Sequence, residues 1–110
     1  MFTHAGLDIS LPFDQQQDSE FYWNRTLWVD AWNQYHANPE ADFEISTPFK
    51  EIYIGHTPTT NYGVDRPLTA FQITNLDTGV RHGGRLTIMN IETKEYWQSD
   101  TMDNLYEYSI

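Results

Sequence analysis

The fold prediction starts from residues 50–60, which read KEIYIGHTPTT. The β-favouring run Ile-Tyr-Ile at 52–54 predicts a short buried strand, and Gly55 ends it. His56 follows directly at the end of that strand. A histidine in this position is a candidate metal ligand, a candidate catalytic base, or a polar residue that starts a loop. The rest of the sequence has to separate these three roles.

Composition limits the class of protein. The 110 residues are expected to form one domain, residues 1–110, with 16 acidic and six basic side chains and a net charge of −10. Such a surface repels nucleic-acid phosphates, so no nucleic-acid partner is expected. The absence of cysteine excludes disulfides and thiolate metal sites. Because no apolar run reaches membrane-spanning length and no signal peptide is evident, we expect a cytoplasmic protein without membrane contact.

One main helix is predicted at residues 18–36, with Asp18 or Ser19 as its N-cap. Its end is expected before Asn38, because a proline follows at position 39. Apolar side chains recur there at i, i+3, i+4 and i+7, namely Trp28, Ala31, Trp32 and Tyr35. A polar connector is expected at 40–49, strands at 69–76, 85–92 and 94–98, and a loosely held tail at 101–110.

Four histidines are available for chemistry. His36 is expected at the helix C-terminus, where a partly cationic imidazole complements the helix dipole. His82 is expected in a loop near a site. His4 and His56 both follow a β-favouring stretch and both have small neighbours. If their strands are neighbours in one sheet, the two imidazoles converge on one point, but spacing alone leaves metal binding open.

Four motifs carry a family resemblance: THAGLD at 3–8, WNR at 23–25, IGHTPT at 54–59 and NLDTGVRHGGRLTIMNIETKEYW at 75–97. Together they resemble the C-terminal half of a calcineurin-like metallophosphoesterase. The most similar branch is that of the bacterial and phage serine/threonine protein phosphatases of the lambda type, beside the symmetric diadenosine tetraphosphatases. The resemblance spans residues 3–98 in consistent order.

The resemblance implies a two-metal centre in the complete enzyme, where a bridging hydroxide attacks the phosphorus of a phosphomonoester. It implies that His4 and His56 ligate one divalent ion, which imidazole chemistry suggests is Mn, Fe or Zn. It further implies that Arg25 binds the substrate phosphate, since guanidinium offers a planar fork of donors. The alternative for Arg25 is a surface charge paired with an acidic neighbour such as Glu20.

Further residues are expected to form the loops of the same site or to support the ligands: Thr57, Asp77, Thr78 and His82. A metal-bound histidine usually donates its second N–H to a carboxylate or carbonyl, a role that suits Asp77. Relatives often carry an aromatic residue where His82 stands.

The resemblance also implies ligands that this sequence lacks. The family's DxH, GDxxD and GNH[DE] motifs do not occur in it, and no catalytic residue is assigned. We therefore expect a phosphoesterase fragment that is inactive in isolation and that self-associates as a homo-oligomer through the exposed surface of a half-domain. The implied fold is α/β (α+β), half of a four-layer αββα architecture. In it one mixed sheet lies against helix 18–36, and its strands are 50–54, 69–76, 85–92 and 94–98. His4, Arg25 and His56 are expected to share a cleft with the loop 79–84.

Substrate and function retain alternatives. A phosphorylated protein or a small phosphoester such as a dinucleotide polyphosphate would suit the implied chemistry. A non-catalytic interaction module derived from the phosphoesterase fold is the competing class. In it, four tryptophans would form an aromatic platform for a ligand: Trp23, Trp28, Trp32 and Trp97.

Overall fold

A computed structural model describes residues 1–38 and 49–101. The chain forms a mixed α/β domain with two α-helices and two small sheets in these ranges, which confirms the predicted α/β class. The connector predicted at 40–49, apart from its last residue, and the tail predicted at 101–110, apart from its first, lie outside the described residues. Within the described ranges, no helix combines the length and the apolar character that crossing a membrane requires.

Helix α1 spans Asp18–Trp23 and helix α2 spans Thr26–Ala37, so the single helix predicted at 18–36 is wrong. The chain leaves helical geometry at Asn24, whose φ is −68° and ψ is 111°. The Asn24 side chain then accepts the Leu27 N–H at 3.0 Å and so supports the first turn of α2. The predicted N-caps are also wrong, because Gln17 precedes α1. The predicted end is confirmed at Asn38, the C-cap of α2.

The strands form two sheets, so the single mixed sheet of the prediction is wrong. The first sheet holds β1 (Ile52–Ile54), β2 (Leu68–Ala70) and β3 (Ile73–Asn75) in the order β1-β3-β2, with β1 parallel and β2 antiparallel to β3. The second is an antiparallel pair, β4 (Thr87–Met89) with β5 (Tyr96–Gln98). The strand predicted at 69–76 divides because Phe71, at a φ of 54°, turns the chain between β2 and β3.

The two sides of the three-stranded sheet differ, since side chains alternate along each strand. The side that we call the helix side packs against α2 and holds the core, which includes Trp28, Ile52 and Ile73, all with 0% of their surface exposed. The other side, which we call the open side, carries Tyr53, whose ring stacks on Phe2 at 5.1 Å between ring centroids. The sheet thus keeps one side apolar and covered and leaves the other for polar and aromatic groups.

Candidate metal and phosphate site

Parallel pairing brings His4 beside His56. The Thr3 N–H donates to the Tyr53 carbonyl at 3.0 Å, and the Tyr53 N–H donates to the Met1 carbonyl at 2.8 Å. Two residues further on, the Gly55 N–H donates to the His4 carbonyl at 2.7 Å. The two segments therefore reach the same end of the sheet, and the imidazole ring centroids of the two histidines lie 5.0 Å apart. The predicted meeting of these side chains is observed, while their role as ligands stays a prediction.

Backbone geometry explains why the sequence at the end of β1 is Gly-His. A Cβ atom at Gly55 would lie 3.3 Å from the His4 carbonyl oxygen, closer than most side chains tolerate. His56 has a φ of 68°, in the left-handed region, where histidine, asparagine and aspartate are enriched among the residues other than glycine. The strand therefore ends in a tight turn, and this turn sets His56 against His4.

An open depression of about 510 Å³ lies beside the histidine pair. Its lining includes Phe2, His4, His56 and Asp77. Its volume falls within the roughly 300–1,000 Å³ that is usual for small-molecule sites. Of the residues predicted to share a cleft, His4 and His56 line this depression, whereas Arg25 and the loop 79–84 do not. The depression adjoins the open side of the sheet through Tyr53 and Phe2.

The histidine pair fits one part of a metal coordination sphere. Two imidazoles bound to one tetrahedral ion, with metal–nitrogen distances of about 2.1 Å, place their ring centroids roughly 5 Å apart. The observed separation is 5.0 Å, and neither imidazole forms a hydrogen bond with another described residue. However, residues 1–38 and 49–101 contain no group of three or more metal-ligating side chains. The described part of the chain therefore offers two donors, which is fewer than a complete site needs.

His56 has the protonation behaviour that a ligand requires. Burial lowers the pKa of His56 below its ordinary value, and the nearby charges of Arg25 and His4 lower it further. The Asp77 carboxylate opposes this shift. The neutral imidazole, which is the form that binds metals, is thus favoured at neutral pH.

Arg25 presents an exposed guanidinium near His56. The two ion pairs found among the described residues are Arg85 with Asp65 and Lys94 with Glu51, so Arg25 belongs to neither. The proposed pairing of Arg25 with Glu20 is not formed, because the Glu20 carboxylate accepts a hydrogen bond from the Asn24 side chain at 2.7 Å. A free guanidinium beside an imidazole pair is suited to an anion.

Backbone contacts fix the junction that carries Arg25. The Ala5 N–H donates to the Phe21 carbonyl at 2.7 Å, which joins the segment after His4 to helix α1. Gly6 lies so close to the junction between α1 and α2 that a Cβ atom there would be 2.9 Å from the Asn24 carbonyl oxygen. His4 and Arg25 are therefore held by one packed unit, although 21 positions separate them in the sequence.

The other predicted site residues divide into two groups. Asp77 lines the depression, and its carboxylate accepts the Gly79 N–H at 3.1 Å. Thr57 is buried beside His56, and its carbonyl accepts the Asn75 side-chain N–H at 2.6 Å. Thr57 does not line the depression, and neither do the remaining two residues. The Thr78 hydroxyl donates to the Arg85 carbonyl and forms a second hydrogen bond with the Thr87 hydroxyl, and His82 is exposed in a 3₁₀ turn. Asp77 is thus the one of these four residues that borders the depression, and the supporting roles of the other three stay predictions.

Trp23 is a site residue that sequence reasoning missed. Its ring centroid lies 5.4 Å from that of His56 in an edge-to-face contact, and 68% of its surface is exposed. The sequence analysis used Trp23 as the first residue of the WNR motif and as part of a four-tryptophan platform, and did not assign it a contact with His56. Trp28 is fully buried in the core, so that platform does not form. The available signal was the position of Trp23 two residues before Arg25 in the WNR motif.

Comparison with protein-family models, with curated proteins and with solved structures finds no match to this chain. A functional proposal therefore depends on the geometry and chemistry described above and on the sequence motifs.

Proposed function

We propose that this chain belongs to a metal-dependent phosphoesterase of the calcineurin-like serine/threonine phosphatase type and supplies part of its metal and phosphate site. The observation that carries the proposal is the imidazole pair of His4 and His56, with ring centroids 5.0 Å apart, beside the guanidinium of Arg25, which has no ion-pair partner among residues 1–38 and 49–101. The sequence motifs around these three residues support the same assignment.

Each residue of the proposed site has a distinct task. His4 and His56 hold a divalent ion, Mn, Fe or Zn, through neutral ring nitrogens. Arg25 orients the substrate phosphate through its paired N–H donors and balances part of its charge. When bound, the ions of such a centre polarise phosphate oxygens and make a water molecule acidic enough to act as nucleophile. The phosphomonoester would be that of a phosphorylated protein or of a small phosphoester.

We expect the 110-residue chain to be inactive on its own. Zinc sites usually have three or four protein ligands, whereas the described residues offer a pair of histidines. The family motifs that would complete the set do not occur in the sequence. A second polypeptide, or a second copy of this chain, would then have to bring further donors. Exposed apolar side chains, including Phe2, Ile88 and Trp97, support an association of this kind.

The test is a calorimetric titration of the chain with Mn²⁺ and with Zn²⁺, with turnover of para-nitrophenyl phosphate measured in the same samples. We expect weak binding that His4→Ala and His56→Asn both abolish, and no turnover. Asparagine is chosen at position 56 because it tolerates the left-handed backbone there. His36→Ala is the matched control, since His36 lies at the far end of α2 against Trp32.

Two results would contradict the proposal. Metal binding that is the same in wild type and in both site variants would remove the metal assignment and favour the non-catalytic interaction module. Turnover by the isolated chain would show that His4, His56 and Arg25 need fewer additional ligands than we propose.

A further inference from the structure

The exposed indole of Trp23 has no role in the proposed hydrolysis, yet it lies against the proposed metal ligand His56. We propose that this site prefers phosphate compounds that carry an aromatic ring, and that Trp23 binds this ring by stacking. The inference rests on the proposed function and narrows its substrate class.

The position of Trp23 places it within reach of a group attached to a bound phosphate. Its ring is 5.4 Å from the ring of His56, and it lies two residues before Arg25. A phosphate bound between the imidazole pair and the guanidinium would therefore have its substituent beside the indole. The Arg25 charge also lies near enough to act on the His56 imidazole, so the ring and the charged group both border the proposed ligand.

The indole has a free face. It meets His56 at an interplanar angle of 80°, so this contact occupies at most one of its two faces. Its ring contacts no other aromatic side chain among the described residues, and 68% of its surface is exposed. Phe2, which lines the depression, is also exposed, but the Tyr53 ring already stacks on it. Trp23 is thus the better stacking surface.

The backbone around Trp23 is well fixed, which reduces the ordering cost of binding. The N–H of the next residue, Asn24, donates to the Glu20 carbonyl at 3.1 Å, and the Asn24 side chain joins Glu20 to Leu27. The indole therefore starts from a packed helix end and not from a long loop.

Two sources share the chemistry of a planar ring close to a phosphate. One is an aryl phosphate, such as the phosphorylated tyrosine side chain, and the other is a nucleotide, whose base is a flat ring. A three- to tenfold gain in affinity corresponds to about 0.65–1.4 kcal/mol, which lies within the roughly 0.5–1.5 kcal/mol that aromatic pairs of this kind contribute. A site without the stacking surface would bind aromatic and aliphatic phosphates equally.

The experiment is a calorimetric titration of the full 110-residue chain in Mn²⁺ buffer with two matched pairs of compounds. Phenylphosphonate is compared with cyclohexylphosphonate, and AMP is compared with ribose 5-phosphate. Inorganic phosphate is titrated as the reference for the charged part of the site. The variants are Trp23→Ala, the conservative Trp23→Phe, and Trp97→Ala as the matched control, because Trp97 is also exposed and lies on β5.

We expect the wild type to prefer the aromatic member of at least one pair by three- to tenfold. Preference within the phosphonate pair alone would identify an aryl phosphate, and preference within the nucleotide pair alone would identify a base. Trp23→Ala should remove the preference, Trp23→Phe should restore part of it, and Trp97→Ala should keep it. Inorganic phosphate should bind equally to all four proteins.

Equal affinities within both pairs in the wild type, or a preference that survives in Trp23→Ala, would overturn the stacking inference. The proposed function would still stand if inorganic phosphate binds and if Arg25→Ala abolishes that binding. A wild type that binds no inorganic phosphate in Mn²⁺ would overturn the proposed function and the inference together.

Discussion

The helix side and the open side of the three-stranded sheet are formed by the same strands but carry different kinds of residues. On the helix side, Ile52, Ile54 and Ile73 are covered by α2 and bury their side chains almost completely. On the open side, Tyr53 meets Phe2, which is 65% exposed. The two sides differ in what covers them and not in burial along β1, because Tyr53 is only 3% exposed and both Tyr53 and Ile54 line the depression. The helix side carries the apolar core, and the open side carries the aromatic contact beside the candidate site.

The position of the histidines follows from this division. His4 and His56 lie where two parallel segments end, at the Gly55 N–H to His4 carbonyl bond, and their rings line the depression. They nevertheless depend on the core, because β1 is fixed by Ile52 and Ile54 on the helix side. We therefore expect damage on the helix side to cost folding free energy and damage at the site to cost mainly binding.

The largest effect is expected from Trp28→Ala on the helix side. Trp28 is fully buried, and removing a buried tryptophan typically costs about 3–5 kcal/mol. That is a large part of the roughly 5–15 kcal/mol by which domains are stable. Trp97→Ala, which removes a tryptophan with 58% of its surface exposed, should change the free energy of unfolding by less than about 0.5 kcal/mol. Urea unfolding compares the two, and equal losses would contradict the assignment of Trp28 to the core of the helix side.

A smaller effect is expected at Gly6, which packs against the junction between α1 and α2. A Cβ atom in Gly6→Ala would lie 2.9 Å from the Asn24 carbonyl oxygen, and relief of that overlap should cost about 1–3 kcal/mol. The shift should also weaken phosphate binding, because Asn24 sits between Trp23 and Arg25. Gly55→Ala is the graded control, since its Cβ would lie 3.3 Å from the nearest atom. Denaturant unfolding measures the loss of stability, and phosphate titration measures the loss of affinity. A Gly6→Ala protein as stable as wild type would show that the junction between α1 and α2 can shift to accommodate the added methyl group at no cost.

The smallest effect concerns pH and belongs to the site. Burial lowers the pKa of His56 in the folded chain, with help from Arg25 and His4. The unfolded chain therefore takes up the proton first as pH falls below about 6.5. Stability from the neutral imidazole is fully present above that pH and is lost as pH falls through the folded-state pKa.

Unfolding free energies measured at descending pH test this sign. His56→Asn should make the curve flatter below the ordinary histidine pKa than it is in the wild type. A His56→Asn protein that loses stability with acid as steeply as wild type would assign the proton uptake to another group.

Local sequence patterns predicted the parts of this fold that depend on nearby residues. The apolar spacing from Trp28 to Tyr35 predicted α2, and the Asn38-Pro39 pair predicted its end. The break before α2 was not predicted, because it depends on Gly6 packing against Asn24, a contact between distant positions. Likewise the left-handed turn at Phe71 gave no signal, so one strand was predicted where two occur.

At the candidate site, too, contacts between distant elements were harder to predict than local patterns. The shared setting of His4 and His56 at strand ends predicted that they could meet, because parallel pairing is a property of both segments. The contact of Trp23 with His56 could not be predicted, since it requires the end of α1 to be placed against the end of β1. Side chains at the ends of elements are the hardest to place from sequence.

The left-handed backbone of His56 limits which residues could replace it during evolution. Position 56 adopts a φ of 68° and, in the proposed site, also supplies a ring nitrogen, and histidine meets both demands. Asparagine or glycine meets the first demand alone, so a lineage released from selection for the proposed metal binding can change at this position without harm to folding. Related chains without the proposed metal binding would therefore keep the turn, and the residue at position 56 would distinguish them from chains that bind metal.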